Sequence, residues 1–218
     1  MARLRLLSDC RLYTFIDTAY TRGRSVEDLA RQLCDGGSDV IQLRAKNLEA
    51  DEVLGLARRI RLITDEAGVL LAVNDHWTAA VEAGAALCHL GQEDFFEAGW
   101  RRVEELAPLG GAVKLGLSSH APDQAERAVK AGAAYLGVGP VYRTGTKPAA
   151  RPVTLDYVRW ASDHLLIPWF AIGGITLENL DEVLAAGARR VCVVSAILNA
   201  PDVVRACQTY RDRLSSAP

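Results

Sequence analysis

The chain lacks a strong excess of either charge, and this absence excludes several classes of protein. Its 218 residues carry a formal net charge of -2. A near-neutral chain offers no broad electrostatic footprint for nucleic acid or for an anionic membrane. Any basic site must therefore be local.

Long apolar runs and paired cysteines are also missing. No stretch is long and apolar enough to span a bilayer, and Arg5 interrupts the apolar start of the sequence before a secretory leader could form. The five cysteines are odd in number and lack the paired spacing of metal or redox sites. We therefore expect a cytoplasmic protein in which Cys10, Cys88 and Cys192 behave as small buried hydrophobic residues.

A recurring helix ending is the first organised feature that the sequence does contain. Similar segments, such as Glu82-Ala83-Gly84-Ala85, surround Gly37, Gly84, Gly132 and Gly187. Glycine there suits the left-handed residue that ends a helix before the next strand. These endings predict strands near residues 11–16, 39–43, 69–73, 86–90, 113–117, 134–138, 168–172 and 190–194.

The eight strands alternate with helical patterns, such as the apolar spacing over residues 50–67. This order predicts an α/β fold, a (β/α)8 TIM barrel forming a single domain over residues 1–218, with an open doubly wound sheet as the alternative. Residues 139–153 depart from the pattern with Gly, Pro, Thr and three cations. We expect a flexible loop over the active site there.

Polar clusters follow six of the predicted strands. Because the carboxyl ends of parallel strands meet at one rim of a barrel, these scattered clusters should form one site. In the first of them, strand alternation sends Gln42, Arg44 and Lys46 to one side and Leu43 and Ala45 to the other. Two neighbouring cations favour a phosphate or pyrophosphate ligand. The alternative is a pair of surface cations neutralised by carboxylates.

Two aspartates follow neighbouring strands, Asp75 after the third and Asp94 after the fourth. Magnesium prefers a sparse donor set of one or two carboxylates completed by water and phosphate oxygens. The pair therefore predicts a magnesium site, although an Asn-Asp sequence such as Asn74-Asp75 also caps helices.

Anion-binding features follow the seventh and eighth strands. Gly173-Gly174 and Val194-Ser195 each precede a helix, where backbone N–H groups approach an anion closely. Barrels build phosphate sites at this position. Within the expected loop, Thr144-Gly145-Thr146-Lys147 offers two hydroxyls and a cation to a second phosphorylated group.

Ser118, Ser119 and His120 raise the question of nucleophilic catalysis. No spaced acidic partner marks a triad, so hydrogen bonding to a ligand is the favoured interpretation. His89 lies late in a strand and is interpreted as a core or supporting residue, with a ligand contact as the alternative.

In their order, the clusters resemble the thiamine-phosphate synthase family along residues 12–200. The matching motifs are Gln-x-Arg-x-Lys, Asn-Asp, His-x-Gly-Gln-x-Asp, Gly-x-Ser-x-His, Thr-x-Thr-Lys, Gly-Gly-Ile and an aliphatic-Ser pair. The resemblance implies a barrel enzyme, a transferase that joins hydroxymethylpyrimidine diphosphate to a thiazole phosphate with Mg²⁺. The products are thiamine phosphate and pyrophosphate, and a homodimer is implied as well.

The resemblance also implies roles by matched position. Asp75 and Asp94 would bind Mg²⁺. The pyrimidine diphosphate would be held by Gln42, Leu43, Arg44, Ala45, Lys46, Asn74, Ser118 and Lys147. The thiazole phosphate would be held by Thr144, Gly145, Thr146, Gly174, Val194 and Ser195. Arg44, Lys46, Ser118 and Lys147 would be the catalytic groups.

The sequence departs from the family at Ala45, where many members have Glu, and we expect activity to survive because position 45 points away from the site. Two other functions remain open. One is a thiazole tautomerase, which needs no diphosphate site, and the other is a noncatalytic barrel that binds a phosphorylated metabolite.

Overall fold

Strands and helices alternate along the computed structural model, which describes residues 5–109, 112–145 and 151–216. The described residues form eight strands, and each overlaps the strand predicted for it. Their bounds are β1 Leu12–Asp17, β2 Val40–Arg44, β3 Leu70–Asn74, β4 Leu87–Leu90, β5 Lys114–Ser119, β6 Tyr135–Val138, β7 Trp169–Ile172 and β8 Val191–Val193.

The helices lie between the strands, as the periodicity predicts. Over the described ranges they are α1 Val26–Asp35, α2 Ala50–Ala67, α3 Trp77–Ala83, α4 Gln92–Glu97, α5 Pro122–Lys130, α6 Thr154–His164, α7 Leu180–Ala185, α8 Ser195–Leu198 and α9 Val203–Ser216. Short 3-10 helices cover Leu7–Asp9, Thr18–Tyr20 and Val103–Leu109. In these ranges, no helix combines the length and the apolar character needed to cross a bilayer.

The strands close into a barrel. Each pairs in parallel with the next, and β8 pairs with β1, so that Leu12 lies opposite Val191. Closure confirms the (β/α)8 prediction and excludes the open doubly wound sheet. It also brings the carboxyl ends of all eight strands to one mouth.

The predicted helix endings are confirmed. Gly37, Gly84, Gly132 and Gly187 have φ angles of 84°, 65°, 91° and 98°. These angles lie in the left-handed region, which glycine enters without steric cost. The recurring glycines are therefore structural.

Side chains of each strand alternate between two cores. Tyr13, Val40, Leu87 and Phe170 point into the barrel, while residues such as Ile41 pack between the sheet and the helices. The predicted burial of three cysteines is confirmed, because Cys10 and Cys88 are inaccessible and Cys192 is 5% exposed. Burial raises the pKa of the Cys10 thiol to about 11, so this thiol stays protonated at neutral pH.

The interior core leaves no space beside Tyr135. A Cβ atom at Gly116, on the neighbouring strand, would lie 2.1 Å from the Tyr135 ring. We predict that Gly116→Ala lowers the free energy of unfolding by about 1–3 kcal/mol through overpacking. Urea denaturation measures this loss.

Gly55→Ala is the matched control. Gly55 lies inside α2, and its added Cβ would meet only Arg59 Nη1, at 3.8 Å. Alanine is favoured over glycine in a helix, so this variant should gain up to about 1 kcal/mol. Equal stability of Gly116→Ala and the wild type would show that the Tyr135 ring is not confined by its neighbour.

Candidate active site

A cavity of about 380 Å³ opens at the carboxyl-end mouth of the barrel. Tyr13, Phe15, Tyr135 and Phe170 contribute aromatic side chains to its lining. Several residues predicted from sequence line the same cavity: Gln42, Arg44, Asn74, Ser118, Thr144, Gly174, Val194 and Ser195. The structure thus brings together residues that are separated by up to 153 positions, since Gln42 and Ser195 border one space.

The β2 segment divides its side chains as alternation predicts. Gln42 and Arg44 face the cavity, whereas Leu43 and Ala45 are buried in the core between sheet and helices. A ligand contact by Leu43 or Ala45 would therefore have to come from the backbone. The Gln42 side-chain amide donates a hydrogen bond to the Tyr13 hydroxyl over 2.7 Å.

Both cations of this segment have carboxylate partners. Arg44 Nη1 lies 2.6 Å from Asp17 Oδ2, and Lys46 Nζ lies 3.1 Å from Asp75 Oδ2. The alternative of cations paired with carboxylates therefore describes the geometry of this segment, and a phosphate ligand at these cations stays a prediction. Arg44 still lines the cavity, and its exposed face can bind an anion while Asp17 holds the other side.

The two aspartates predicted to bind magnesium follow adjacent strands. Asp75 has a φ angle of 63°, and its backbone N–H donates to the His89 carbonyl at 3.0 Å, which ties the end of β3 to β4. Asp94 lies in the first turn of α4, with its carboxylate packed back against Gly91. Both carboxylates thus stand at the same rim.

Asp75 and Asp94 could supply some, but not all, of the ligands of a magnesium ion. No group of three or more His, Cys, Asp or Glu side chains in the described ranges forms a complete metal cage. Hard carboxylate oxygens from Asp75 and Asp94 match the sparse protein contribution that Mg²⁺ accepts when water and phosphate complete the shell. The arrangement therefore suits a metal delivered with a phosphorylated substrate.

The glycine pair after β7 packs against the segment that leaves β6. Gly173 and Gly174 have φ angles of 100° and 66°. A Cβ at Gly173 would lie 2.4 Å from Pro140 Cβ, and one at Gly174 would lie 2.5 Å from the Arg143 carbonyl oxygen. The backbone conformation and this close packing both require glycine at these positions. Binding of an anion is therefore not needed to explain the glycine pair.

Val194 and Ser195 join β8 to the short helix α8. Both line the cavity, as does Ala196. The first N–H groups of a helix have no acceptor within the helix, so a phosphate at this point would receive backbone hydrogen bonds.

The predicted loop is only partly described. Val141 N–H donates to Ile172 O at 2.8 Å and Tyr142 N–H to Gly173 O at 3.0 Å, so the segment is anchored where it leaves β6. Thr144 lines the cavity. Thr146 and Lys147 lie outside the described residues, and the expected flexibility of this loop stays a prediction.

Ser118 and Ser119 at the end of β5 and His120 directly after it do not form a nucleophilic triad. Ser118 Oγ accepts a hydrogen bond from the Gln92 backbone N–H at 3.2 Å. His120 Nδ1 instead contacts the Gly139 carbonyl oxygen, and its Nε2 lies 3.9 Å from Glu93 Oε1. Ser118 and His120 both border the cavity, in agreement with ligand binding.

Sequence reasoning did not single out Asp17, which pairs with Arg44, or the aromatic residues of the lining, which are Tyr13, Phe15, Tyr135 and Phe170. Asp17 ends β1, just as the recognised polar clusters end other strands, so this signal was present in the sequence. The four aromatic residues lie within strand runs that are mostly apolar and carry no comparable signal. His89, interpreted mainly as a core residue, lines the cavity with its ring centroid 5.6 Å from that of Tyr135.

Comparison with known proteins identifies relatives of the chain in sequence and in fold. A family model described as thiamine monophosphate synthase matches residues 12–197. A thiamine-phosphate synthase of Thermus thermophilus is 47% identical over 188 residues, covering 86% of this chain and 88% of the relative. One of Lawsonia intracellularis is 40% identical over 208 residues, covering 94% and 93%. A solved thiamine phosphate pyrophosphorylase of Pyrococcus furiosus superposes with a TM-score of 0.86 at 31% identity, covering 98% and 99%.

Proposed function

The chain belongs to the thiamine monophosphate synthase family, and from this premise we propose how its cavity carries out the reaction. The activity is that of a transferase. It condenses 4-amino-2-methyl-5-hydroxymethylpyrimidine diphosphate with a thiazole phosphate and releases pyrophosphate and thiamine phosphate. A homodimer, which the family resemblance implies, and a cytoplasmic location, which the cysteine content favours, stay predictions.

One observation supports the proposal most strongly: two groups of polar residues border a single cavity. Gln42, Arg44, Asn74 and Ser118 come from β2, β3 and β5, whereas Gly174 and Ser195 come from the connections after β7 and β8. The first group suits the pyrimidine diphosphate and the second suits the thiazole phosphate. Such an arrangement holds two substrates face to face, and positioning of this kind can remove a large part of a reaction barrier.

The reaction needs no protein nucleophile. The bond between the pyrimidine methylene carbon and the diphosphate oxygen breaks, and its electron pair leaves with the pyrophosphate. The thiazole nitrogen then forms the new bond to that carbon with its lone pair. Charge grows on the departing oxygen, so the site must bind pyrophosphate more strongly as it leaves.

Arg44 is the described side chain best placed to stabilise that charge. Its guanidinium borders the cavity and is oriented by Asp17, which limits the reorganisation needed during the reaction. Lys46 and Lys147 would add further positive charge. Each well-placed donor of this kind contributes about 3 kcal/mol, or roughly a hundredfold in rate.

Asp75 and Asp94 would hold Mg²⁺, which supplies positive charge to the diphosphate oxygens when it is bound. The contact between Lys46 and Asp75 links this pair to the β2 cations. We place both sources of positive charge at the diphosphate end of the substrate, although among the described residues Lys46, Asp75 and Asp94 do not line the cavity.

The aromatic lining suits the reacting centre. Tyr13, Phe15 and Phe170 surround the inner part of the cavity with apolar surface. Exclusion of water strengthens the electrostatic contacts at the mouth and protects the cation-like carbon from capture by water.

The decisive experiment is a product assay with the two purified substrates, with Mg²⁺ or with excess chelator. We expect thiamine phosphate and pyrophosphate in equal amounts, formed only when Mg²⁺ is present. A tautomerase would alter the thiazole phosphate alone and release no pyrophosphate. A noncatalytic barrel would bind its ligand and release nothing, so either outcome would refute the proposal.

A further inference from the structure

The segment that follows β8 depends on contacts outside itself. Residues 194–199 include the four-residue helix α8, and Val194, Ser195, Ala196 and Asn199 of this segment line the cavity. A helix of one turn is not stable alone, because the cost of starting a helix exceeds the return from a few hydrogen bonds. Neighbouring elements must therefore set its position at the barrel mouth.

Two arginines of the connection from β1 to α1, residues 18–25, bind the C-terminal end of this segment. Arg24 Nη2 donates to the Leu198 carbonyl oxygen at 2.6 Å, and Arg22 Nη1 donates to that of Asn199 at 3.2 Å. The last carbonyl groups of a helix have no N–H partner within the helix. The two guanidinium groups supply those donors, and Arg24 is the less exposed of the two.

Arg24 also holds its own connection in place. Its Nε donates to the Thr21 carbonyl oxygen at 2.9 Å, and its Nη2 also donates to the Tyr20 carbonyl oxygen at 3.3 Å. Among the described residues, Arg24 forms no ion pair, so all its partners there are backbone carbonyl groups. One side chain therefore links the connection after β1 to the end of α8.

The same connection meets the segment that follows β6. A Cβ atom at Gly145 would lie 3.4 Å from the Tyr20 hydroxyl oxygen, and Thr144, directly before Gly145, lines the cavity. The connection after β1 thus contacts both segments to which the proposed function assigns the thiazole phosphate. One carries Thr144 and Gly145, and the other carries Val194 and Ser195.

We propose that Arg24 is a positioning residue for the thiazole phosphate. By holding the backbone at Tyr20 and Leu198 together, it sets the spacing of the two segments that bind this substrate. Arg24 itself is not among the described residues that line the cavity. The inference rests on the proposed function and deepens it, since it names a contact outside the cavity that determines affinity for one of the two substrates.

The effect of Arg24 should be confined to that substrate. The proposed contacts of the pyrimidine diphosphate come from β2, β3 and β5, where Asp17 rather than Arg24 holds Arg44. Loss of the link to α8 would displace the contacts of the thiazole phosphate and leave those of the diphosphate in place. Because the phosphate of the thiazole takes no part in the bond changes, weaker binding of it raises KM and leaves kcat unchanged.

The test measures kcat and both KM values for Arg24→Ala. We expect the KM for the thiazole phosphate to rise about tenfold, the effect of losing a hydrogen bond from a charged donor. The KM for the pyrimidine diphosphate and kcat should stay within about twofold of the wild type.

Arg11→Ala is the matched control. Arg11 Nη1 also donates to a carbonyl oxygen in the last turn of a helix at 2.6 Å, that of Leu214 in α9, but Arg11 directly precedes β1 and so lies at the opposite end of the barrel. Its replacement removes the same kind of hydrogen bond away from the cavity. Both KM values should equal those of the wild type.

Arg24→Lys separates position from charge. Lysine keeps the positive charge but lacks the planar fork that bonds three carbonyl oxygens at once. Its KM for the thiazole phosphate should therefore lie between the wild-type and alanine values. A wild-type KM in this variant would overturn the inference, because charge alone would then suffice, and the same variant decides the case if Arg24→Ala does not fold.

Unchanged KM values in Arg24→Ala, or equal rises in both, would also overturn the inference, since a purely structural role does not distinguish the two substrates. Failure of the wild type to release pyrophosphate would instead refute the proposed function. In that case calorimetry with the thiazole phosphate alone tests Arg24. Absence of binding to the wild type, or an affinity unchanged by Arg24→Ala, would then remove the positioning role.

Discussion

Replacement of Asp75 by asparagine should slow the formation of thiamine phosphate by about two orders of magnitude while the fold is retained. The change removes the negative charge proposed to hold Mg²⁺ and preserves the size of the side chain. It also preserves the backbone, because asparagine tolerates the left-handed conformation that Asp75 adopts at a φ angle of 63°. The measurement is the rate of product formation as a function of Mg²⁺ concentration.

Asp65→Asn provides the control for Asp75→Asn. Asp65 also pairs with a cation, Arg61, at 3.1 Å, but lies on the exposed face of α2. Its variant should match the wild type at every Mg²⁺ concentration. Turnover of Asp75→Asn at the wild-type rate under limiting Mg²⁺ would contradict the metal role of Asp75.

Replacement of Arg44 by alanine should weaken binding of the pyrimidine diphosphate by about tenfold to a hundredfold, the effect of losing a charged hydrogen bond. Binding of the thiazole phosphate should change little, because its proposed contacts come from the connections after β7 and β8. Titration calorimetry with each substrate separates the two effects. Equal losses of affinity would remove the assignment of Arg44 to the diphosphate.

The ion pair between Arg44 and Asp17 means that the Arg44→Ala experiment needs a control for stability. Asp17 is 1% exposed, so Arg44→Ala leaves a buried charge without its partner and should destabilise the fold by about 3–5 kcal/mol. The double variant Asp17→Asn, Arg44→Gln removes both charges together. It should recover most of the lost stability, as measured by urea denaturation, without recovering affinity for the diphosphate.

The position of the site at the barrel rim could be predicted from local patterns. Alternation within β2 is enough to send Gln42 and Arg44 to one side, because the side-chain period of a strand is two. The recurring helix endings, together with the apolar runs and helical patterns between them, indicate eight alternating units. Closure of those units then places the polar strand ends together, whatever their separation in sequence.

The charge balance of the site could not be predicted in the same way. Asp17 and Arg44 are 27 residues apart, yet they face each other because they are register partners of β1 and β2. The polar end of β1 was visible in the sequence, but its distance from Arg44 depends on pairing. A count of cations along one strand therefore overstates the free positive charge.

The glycine pair after β7 shows a related limit. A Gly-Gly sequence indicates either an unusual backbone conformation or a neighbouring group that packs closely against the backbone. The sequence does not identify that group. In the structure the neighbour is the segment from Pro140 to Arg143, which packs where a Cβ would stand. The contact is between the segment that follows β6 and the segment that follows β7. The sequence alone gives no sign that these two segments touch.

By itself the sequence determined the eight repeating units, the faces of their strands and the rim at which their polar ends collect. Tertiary structure decided which of these groups meet: Asp17 with Arg44, Asp75 with Lys46, and Tyr135 with Tyr13 below Gln42. The physical reason is that side-chain direction is a local property of the backbone. Contacts across the barrel instead depend on the register of every strand pair and on the closure of the whole sheet.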